Sequence, residues 1–241
     1  MPLLETDRVC RYFGGLKAVH EISLKVEPGE ILGIIGPNGA GKTTLFNVLS
    51  GYYRPTSGTV SYEGRRISGL KPHQICKLGV ARTFQLVKPF PKLTVLDNVV
   101  VGALNRTSSD RVAEAAAADV LELTGLSAKR NSLGSSLPIA DRKRLEVARA
   151  LATQPRLLLL DEVMAGLTAT EIAEAVELVR RVRESGITIV LIEHVMAAVM
   201  ALSDRIVVMH HGELIAQGSS SEVARNPAVI EAYLGKGYRV A

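Results

Sequence analysis

The stretch from Gly36 to Thr44 limits what this 241-residue chain can fold into more than any other part of it. It reads Gly36-Pro37-Asn38-Gly39-Ala40-Gly41-Lys42-Thr43-Thr44, which is the pattern G-x-x-x-x-G-K-T. A short apolar segment of strand type, residues 30–35, comes before it, and apolar residues at helical spacing follow over 45–49. In this strand, loop and helix context the pattern predicts a loop that curls around a polyphosphate, with backbone N–H groups pointing at the anion.

Two side chains of this loop are predicted to contact the bound nucleotide and its metal ion. We expect Lys42 to reach the β- and γ-phosphates of a bound nucleotide and the hydroxyl of Thr43 to contact Mg²⁺. The predicted nucleotide-binding residues of the loop are Gly36, Pro37, Asn38, Gly39, Ala40, Gly41, Lys42, Thr43 and Thr44. The sequence therefore predicts a polyphosphate site that works with Mg²⁺.

Composition and charge narrow the classes of protein. A hydrophobic content of 47% is sufficient for a substantial core, and no apolar run approaches the length of about eighteen residues that spans a membrane. The first residues lack the pattern of a signal peptide, so we expect a soluble protein that stays in the cytoplasm. The net charge of +5 comes from scattered basic residues, which argues against nucleic-acid binding. Cys10 and Cys76 fit no metal-ligand spacing and are predicted to be buried free thiols.

The N-terminal part of the chain is predicted to be mixed in character. Two strand-like pieces, Leu3 to Arg11 and Ile22 to Val26, are joined by a turn that carries Tyr12 and Phe13. Either ring could stack on the face of an adenine, but an aromatic residue near a turn packs into a core about as often. The sequence alone leaves both interpretations of these rings open.

Residues 86–152 are predicted to be mainly helical, and the chain after them alternates between strands and helices. An alanine-rich stretch over 112–123 favours helix by propensity, and an amphipathic pattern covers 140–152. The alternation consists of strands over 156–161, 187–192 and 205–209 and of helices over 170–184 and 195–202. Such alternation indicates βα units and hence a parallel sheet.

Polar residues follow two of these strands, at the edge where α/β sheets bind ligands. Asp161 and Glu162 come directly after four leucines; we expect Asp161 to hold Mg²⁺ and Glu162 to act as general base on the attacking water. His194 follows the next strand and could hydrogen-bond the γ-phosphate. Gln85 lies where the helical segment begins, so its contact with Mg²⁺ or water would couple the nucleotide to that segment.

The order of these motifs along the chain is similar to that of a known family. After the phosphate-binding loop Gly36 to Thr44, the P-loop, come Ala81-Arg82-Thr83-Phe84-Gln85, a helical insert, Leu157-Leu158-Leu159-Leu160-Asp161-Glu162 and Glu193-His194. In this order the chain resembles the ATP-binding subunit of an ABC transporter over essentially its whole length. It is most similar to the branched-chain amino acid importer ATPases, through Phe13-Gly14-Gly15-Leu16, Arg144-Leu145-Glu146-Val147-Ala148-Arg149-Ala150-Leu151 and Ala232-Tyr233-Leu234-Gly235.

The resemblance implies a fold and its subdivisions. The fold is α/β, a P-loop NTPase (RecA-like) core with a mainly parallel sheet, an N-terminal antiparallel β subdomain and an inserted α-helical subdomain. The implied boundaries are 1–85 and 153–225 for the core with its β subdomain, 86–152 for the helical subdomain and 226–241 for a C-terminal tail.

The same resemblance implies an activity, its residues and its partners. The activity is ATP hydrolysis that drives uptake of branched-chain amino acids or related small solutes, with Glu162, His194, Gln85 and Lys42 as catalytic residues. Phe13 would stack on the adenine, and Thr43, Gln85 and Asp161 would hold Mg²⁺. The implied partners are transmembrane permease subunits at the cytoplasmic face of the membrane, a second ABC ATPase subunit and, indirectly, a periplasmic or extracellular solute-binding protein.

One motif departs from the family pattern. The signature loop, normally L-S-G-G-Q or in this subfamily L-P-Y-G-Q, reads Leu137-Pro138-Ile139-Ala140-Asp141. In the family this loop caps the ATP of the opposite subunit; here Pro138 lacks an N–H, and Ile139 and Ala140 add Cβ atoms. We expect Asp141 to bring negative charge toward a phosphate. Because the chain's own nucleotide motifs are intact, these changes favour a heterodimer whose partner supplies a glycine-bearing signature.

Three other classes of protein compete with this interpretation of the sequence: a lipopolysaccharide-export ATPase, a soluble ABC ATPase, and a P-loop kinase or GTPase. A lipopolysaccharide-export ATPase shares much of the pattern but serves an exporter. A soluble ABC ATPase of translation or DNA repair usually has two cassettes or long coiled-coil insertions, and the sequence shows neither. A P-loop kinase needs an acceptor-binding lid, and a GTPase needs a guanine-reading N-K-x-D, which does not occur in the chain.

Overall fold

A computed structural model describes residues 1–85 and 87–234, and in it the chain divides into two compact units. One unit begins with Met1–Ile75 and resumes at Thr188, and the other is Cys76–Ile187. The predicted helical subdomain, 86–152, falls within the second unit, and its boundaries stay a prediction.

The first unit opens with an antiparallel sheet. Strands β1 (Leu4–Phe13) and β2 (Leu16–Val26) form a hairpin, and after β3 (Ile31–Ile35) and α1 (Lys42–Leu49) the sheet adds β4 (Ser57–Tyr62) and β5 (Arg65–Arg66). The strand order is β2-β1-β4-β5. The two predicted strand pieces are therefore parts of one longer hairpin, and Tyr12 and Phe13 lie on β1 rather than in a turn. Cys10, on the same strand, is a buried free thiol, whereas the free thiol of Cys76 is only partly buried.

Helix α2 (Pro72–Leu78) leads into the second unit, which contains two strands and four helices in its described part. These are β6 (Val80–Arg82), α3 (Val95–Ala103), α4 (Asp110–Leu123), α5 (Ile139–Leu151), β7 (Leu157–Asp161) and α6 (Ala169–Glu184). Strands β6 and β7 are parallel, with Val80 beside Leu157 and Arg82 beside Leu159. Every residue of β7 is buried, as its run of leucines predicts.

Helices α3, α4 and α5 pack around a common apolar core. Buried residues recur at a spacing of four on two of them, which places them on one helical face. They are Val95, Val99 and Ala103 on α3, Ala113, Ala117 and Leu121 on α4, and Leu145 and Ala148 on α5. Many of these side chains are small, so the helices approach closely and fix where α5 begins.

The first unit resumes with β8 (Thr188–Ile192), α7 (Met196–Leu202), β9 (Arg205–His210), β10 (Glu213–Gly218), α8 (Ser220–Arg225) and α9 (Pro227–Leu234). Strand β3 lies between β8 and β9 and is parallel to both, while β10 pairs with β9 antiparallel. Within the segment predicted as a tail, 226–241, residues 227–234 form α9, because proline at its start and the apolar residues after it suit a helix; the boundary of the tail stays a prediction. The rest of that segment lies outside the described residues.

The register of β3 and β8 brings two predicted site segments to one sheet edge. Ile34 of β3 lies beside Ile192 of β8, and the strands run in the same direction. The P-loop follows β3 directly, and His194 follows β8 directly. Both segments therefore leave the carboxyl edge of the sheet, which is the edge where α/β sheets bind ligands.

Candidate functional site

The P-loop occupies the turn between β3 and α1, and close backbone packing requires glycine at two of its positions. Gly41 has a φ of 101°, and a Cβ there would lie 2.1 Å from the carbonyl oxygen of Ala18. At Gly36 an added Cβ would lie 2.1 Å from the carbonyl oxygen of Met209. Because both neighbours are backbone atoms, a larger residue would displace the loop itself.

Lys42 lies inside the curl of this loop. Its Nζ donates hydrogen bonds to the carbonyl oxygens of Gly36, at 2.7 Å, and Pro37, at 3.0 Å, and the residue is 6% exposed. Lys42 is the first residue of α1, and Thr43 and Thr44 follow it in the first turn. A positive side chain, a helix N-terminus and curled backbone thus meet at one place, which is the chemistry of a phosphate site.

The two neighbouring aromatic residues of β1, Tyr12 and Phe13, have different surroundings. The Tyr12 hydroxyl lies 2.7 Å from Nδ1 of His20, within the hairpin. Phe13 is 39% exposed, with the guanidinium of Arg11 4.5 Å from its ring centroid and the ring of Tyr53 edge-on at 5.3 Å. Phe13 is therefore the ring that this hairpin presents outward, and Tyr12 is bonded within the sheet.

In the second unit, Asp161 ends β7 beside a basic partner. Its Oδ2 accepts a hydrogen bond from Nη2 of Arg82 at 2.7 Å, and the two side chains are 1% and 7% exposed. The backbone N–H of Asp161 donates to Oγ1 of Thr83 at 3.0 Å, and the N–H of Thr83 donates to the carbonyl of Leu159 at 2.9 Å. The residues just after β6 thus fix the carboxyl end of β7. Arg82 is a site residue that we did not predict, although it lies three residues before Gln85.

Glu162 is held at its side chain and at its backbone. Nε2 of Gln85 donates to Oε2 of Glu162 at 2.5 Å, which brings these two predicted catalytic residues together. Nζ of Lys143, on α5, donates to the carbonyl oxygen of Glu162 at 2.7 Å. Glu162 has a φ of 51°, in the left-handed region, where a residue other than glycine costs of order 1–3 kcal/mol. Lys143 was not predicted as a site residue; the structure places this lysine among the buried positions of α5.

His194 lies in the first unit, at the carboxyl edge described above. It is exposed, and its backbone N–H is 3.3 Å from Oε2 of the buried Glu193. Its expected contact with a γ-phosphate stays a prediction.

The signature loop Leu137–Asp141 forms the start of α5. Pro138 is the N-cap residue and no side chain caps the helix, while Ile139 is 49% exposed. The carboxylate of Asp141 is buried and paired with Lys129, and Nη1 of Arg144 lies 3.8 Å from Oδ1. The expectation that Asp141 directs its charge toward a phosphate is therefore corrected, because the carboxylate is turned toward cations of its own unit.

One further carboxylate of α5 has a perturbed pKa. Burial raises the pKa of Glu146 above its ordinary value, and the neighbouring Arg149, whose Nη1 lies 3.0 Å from Oε2, acts in the opposite direction. The guanidinium of Arg149 also lies 4.9 Å from the ring centroid of Phe90. These contacts tie α5 to the segment that leads from Gln85 into α3.

The predicted metal ligands fit a magnesium ion in their chemistry. Thr43, Gln85 and Asp161 offer hydroxyl, amide and carboxylate oxygens, which are the hard donors that Mg²⁺ prefers. Within residues 1–85 and 87–234, no three histidine, cysteine, aspartate or glutamate side chains group as a site for another metal. Each predicted ligand therefore offers an oxygen donor that suits Mg²⁺, and their use in one magnesium site stays a prediction.

Comparison with known families decides what kind of protein carries this site. The model of a family described as ABC transporter matches residues 19–165, more than half of the chain. A second, described as branched-chain amino acid ATP-binding cassette transporter, matches residues 213–239. This chain belongs to the ABC transporter ATP-binding family.

Individual relatives agree along the whole length of this ABC ATPase. It is 43% identical to the high-affinity branched-chain amino acid transport ATP-binding protein LivG of Salmonella typhimurium, with 98% of each chain covered. It is 41% identical to the protein BraF of the same description from Pseudomonas aeruginosa, again with 98% of each covered. Among solved structures, a nucleotide-free ATP-binding cassette from an ABC transporter has a TM-score of 0.89 and 31% identity, covering 98% of this chain and 100% of that one.

Several predictions from the sequence are thereby confirmed. The fold is an α/β P-loop NTPase with an antiparallel N-terminal sheet and with parallel pairing of β3 with β8 and β9 and of β6 with β7. As a member of its family the chain is an ATP-binding ATPase that works with a transporter. Among the described residues, no helix is both long and apolar enough to cross a membrane.

Proposed function

We propose that this ABC ATPase powers the uptake of branched-chain amino acids or related small solutes. The observation that carries the proposal is the similarity to branched-chain amino acid transport ATP-binding proteins over 98% of both chains. The match of residues 213–239 to the branched-chain family supports it independently, since that region lies outside the general ABC match.

Within this proposal the P-loop binds the nucleotide that the chain hydrolyses. The first N–H groups of α1 and the ammonium of Lys42 hold the phosphates, and the exposed ring of Phe13 stacks on the adenine. Thr43, Gln85 and Asp161 would hold Mg²⁺, and the bound ion would neutralise charge that develops on the phosphates.

Hydrolysis is assigned to the residues around Glu162. The carboxylate of Glu162 accepts a proton from the attacking water, and Gln85 orients that carboxylate through its amide hydrogen bond. His194 donates a hydrogen bond to the γ-phosphate from the edge of β8. The buried pair of Arg82 and Asp161 fixes the orientation of the metal-binding carboxylate.

The assembly in this proposal has two ATPase subunits on the permease subunits, at the cytoplasmic face of the membrane. A solute-binding protein delivers the solute from the other side. The second ATPase subunit differs from this chain, because Pro138, Ile139 and Ala140 remove an N–H and add bulk where a signature loop approaches the opposite ATP. This chain thus contributes one intact nucleotide site and one weak cap.

Reconstitution tests the direction and the substrate of transport. The chain is co-expressed with the permease and ATPase genes beside its own gene, and the purified complex is placed in proteoliposomes with the solute-binding protein. We expect ATP-dependent uptake of labelled leucine, isoleucine or valine, and its loss in a matched complex that carries Lys42→Ala. Uptake of urea or an amide instead would change the substrate class, and extraction of lipopolysaccharide would replace the proposal with export.

A further inference from the structure

Lys143 has a buried ammonium group that the nucleotide chemistry does not use. It lies on α5, two residues after the end of the signature loop, and is 7% exposed. A charge removed from water needs polar partners in exchange, so the position of such a group is set by its acceptors. One acceptor here is the backbone carbonyl of Glu162, 2.7 Å from Nζ.

The hydrogen bond from Lys143 fixes the backbone at Glu162, which has an unusual conformation. Its φ of 51° lies in a region that residues other than glycine rarely adopt, and surrounding contacts must maintain it. A return to ordinary φ would turn the side chain away from Gln85, whose amide is 2.5 Å from Oε2. The orientation of the carboxylate therefore depends on what fixes the backbone.

Lys143 connects this backbone to the signature loop through a single helix. Asp141 lies in the first turn of α5 and is fixed by Lys129 and Arg144, and the helix continues without interruption to Lys143 and beyond. Because hydrogen-bonded helical residues move together, a displacement of the first turn reaches Nζ of Lys143.

We propose that Lys143 is a positioning residue that holds Glu162 in its left-handed conformation and couples that conformation to the position of α5. The inference rests on the proposed role of Glu162 as general base. When the second subunit's ATP contacts the signature loop, the position of α5 changes and the carbonyl of Glu162 moves with Lys143. Lys143 touches neither the nucleotide nor the water and acts through Glu162.

Substitutions that separate the donor from the bulk of the side chain test this role. Lys143→Met keeps most of the length and removes the donor, Lys143→Arg keeps a donor, and Lys143→Gln keeps a polar end that is one bond too short. Lys77→Met is the matched control, because Nζ of Lys77 also donates to a backbone carbonyl, that of Asn105. Each variant is assembled with the permease and the second ATPase subunit, and kcat, KM and the Kd of a fluorescent ATP analogue are measured.

We expect Lys143→Met to lower kcat about 100-fold, the loss typical of a displaced catalytic group, with Kd unchanged. Lys143→Arg recovers most of kcat, and Lys77→Met behaves like the wild type. A purely structural role would instead lower the melting temperature and change Kd and kcat together, which would overturn the proposal. If Lys143→Met does not fold, Lys143→Gln decides: wild-type kcat in that variant also overturns it.

Glu162→Gln in the same assay separates this inference from the proposed function. If Glu162→Gln hydrolyses ATP at the wild-type rate, the role assigned to Glu162 is wrong and the inference falls with it. If Glu162→Gln is inactive while Lys143→Met is as fast as the wild type, only the inference is wrong. Adding Lys143→Met to Glu162→Gln is expected to cause no further loss, because both act on one group.

Discussion

Two loops of this chain lead into helices without any side-chain cap, and they are built in opposite ways. The P-loop leads into α1 with Gly41 as N-cap, and the signature loop leads into α5 with Pro138 as N-cap. Both helix ends retain backbone N–H groups that need an outside partner. Only the first surrounds its helix end with glycines and places the ammonium of a lysine against the carbonyls of the loop itself.

The difference determines which charges and backbone N–H groups each loop can direct toward a phosphate. At α1 the backbone can approach an anion closely and Lys42 supplies a charge. At α5, Ile139 and Ala140 carry Cβ atoms that glycine would lack, and the proline contributes no N–H. Asp141 is paired with Lys129 and Arg144, so in the assembly that we propose the signature loop is a weak cap rather than a repulsive one. That proposal makes the chain better equipped to receive a cap than to give one.

The largest effect on ATP hydrolysis at the chain's own nucleotide site is expected from Glu162→Gln. The amide cannot accept a proton from water, so kcat falls by about 10²–10⁴ while ATP binding is retained. Glu177→Gln is the matched control, because Glu177 is an exposed carboxylate on α6 that pairs with Arg180. Phosphate release from the assembled complex measures both. Undiminished hydrolysis in Glu162→Gln would remove the general base from the account.

The P-loop itself is broken by Gly41→Ala. The new Cβ would lie 2.1 Å from the carbonyl oxygen of Ala18, so the loop must shift, and we expect the Kd for ATP to rise about 100-fold. Gly15→Ala is the control, since nothing lies within 4 Å of a Cβ at that position. Equal affinities of the two variants would show that close packing of the loop does not matter for binding.

A smaller loss is expected from Phe13→Ala. Stacking of a base on an aromatic ring contributes about 1–3 kcal/mol, so the Kd for ATP rises at least about fivefold. Tyr12→Phe removes only the hydroxyl that contacts His20 and leaves the affinity unchanged. Titration with a fluorescent ATP analogue measures both, and the reverse order of effects would assign the stacking role to Tyr12.

The sequence was sufficient where a feature depends on neighbouring residues. The P-loop and β7 are each a run of consecutive residues, so the motif of the first and the burial of the second could be predicted from the sequence. The hairpin of β1 and β2 was longer than predicted because pairing between the strands extends them through Tyr12 and Phe13, which local patterns do not show.

What could not be predicted depends on contacts between distant positions. Arg82 meets Asp161 and Lys143 meets Glu162 only because β6, α5 and the end of β7 come together in the folded chain. The direction of Asp141 was predicted wrongly for the same reason, since Lys129 precedes it in a separate turn.

The comparison of the two loops is tested most directly by restoring the glycine of the signature loop. Ala140→Gly removes the Cβ from a position where the backbone must approach the opposite ATP. If one hydrogen bond of about 0.5–1.5 kcal/mol is regained, ATP turnover rises about fivefold. Ala115→Gly, at an exposed position of α4, controls for the general loosening of a helix by glycine.

The measurement is the ATP turnover of the complete complex, because the loop acts on the partner's nucleotide. Faster turnover in Ala140→Gly, with Ala115→Gly unchanged, is the result expected of a chain that receives a better cap than it gives. Equal turnover in the wild type and Ala140→Gly would contradict that account.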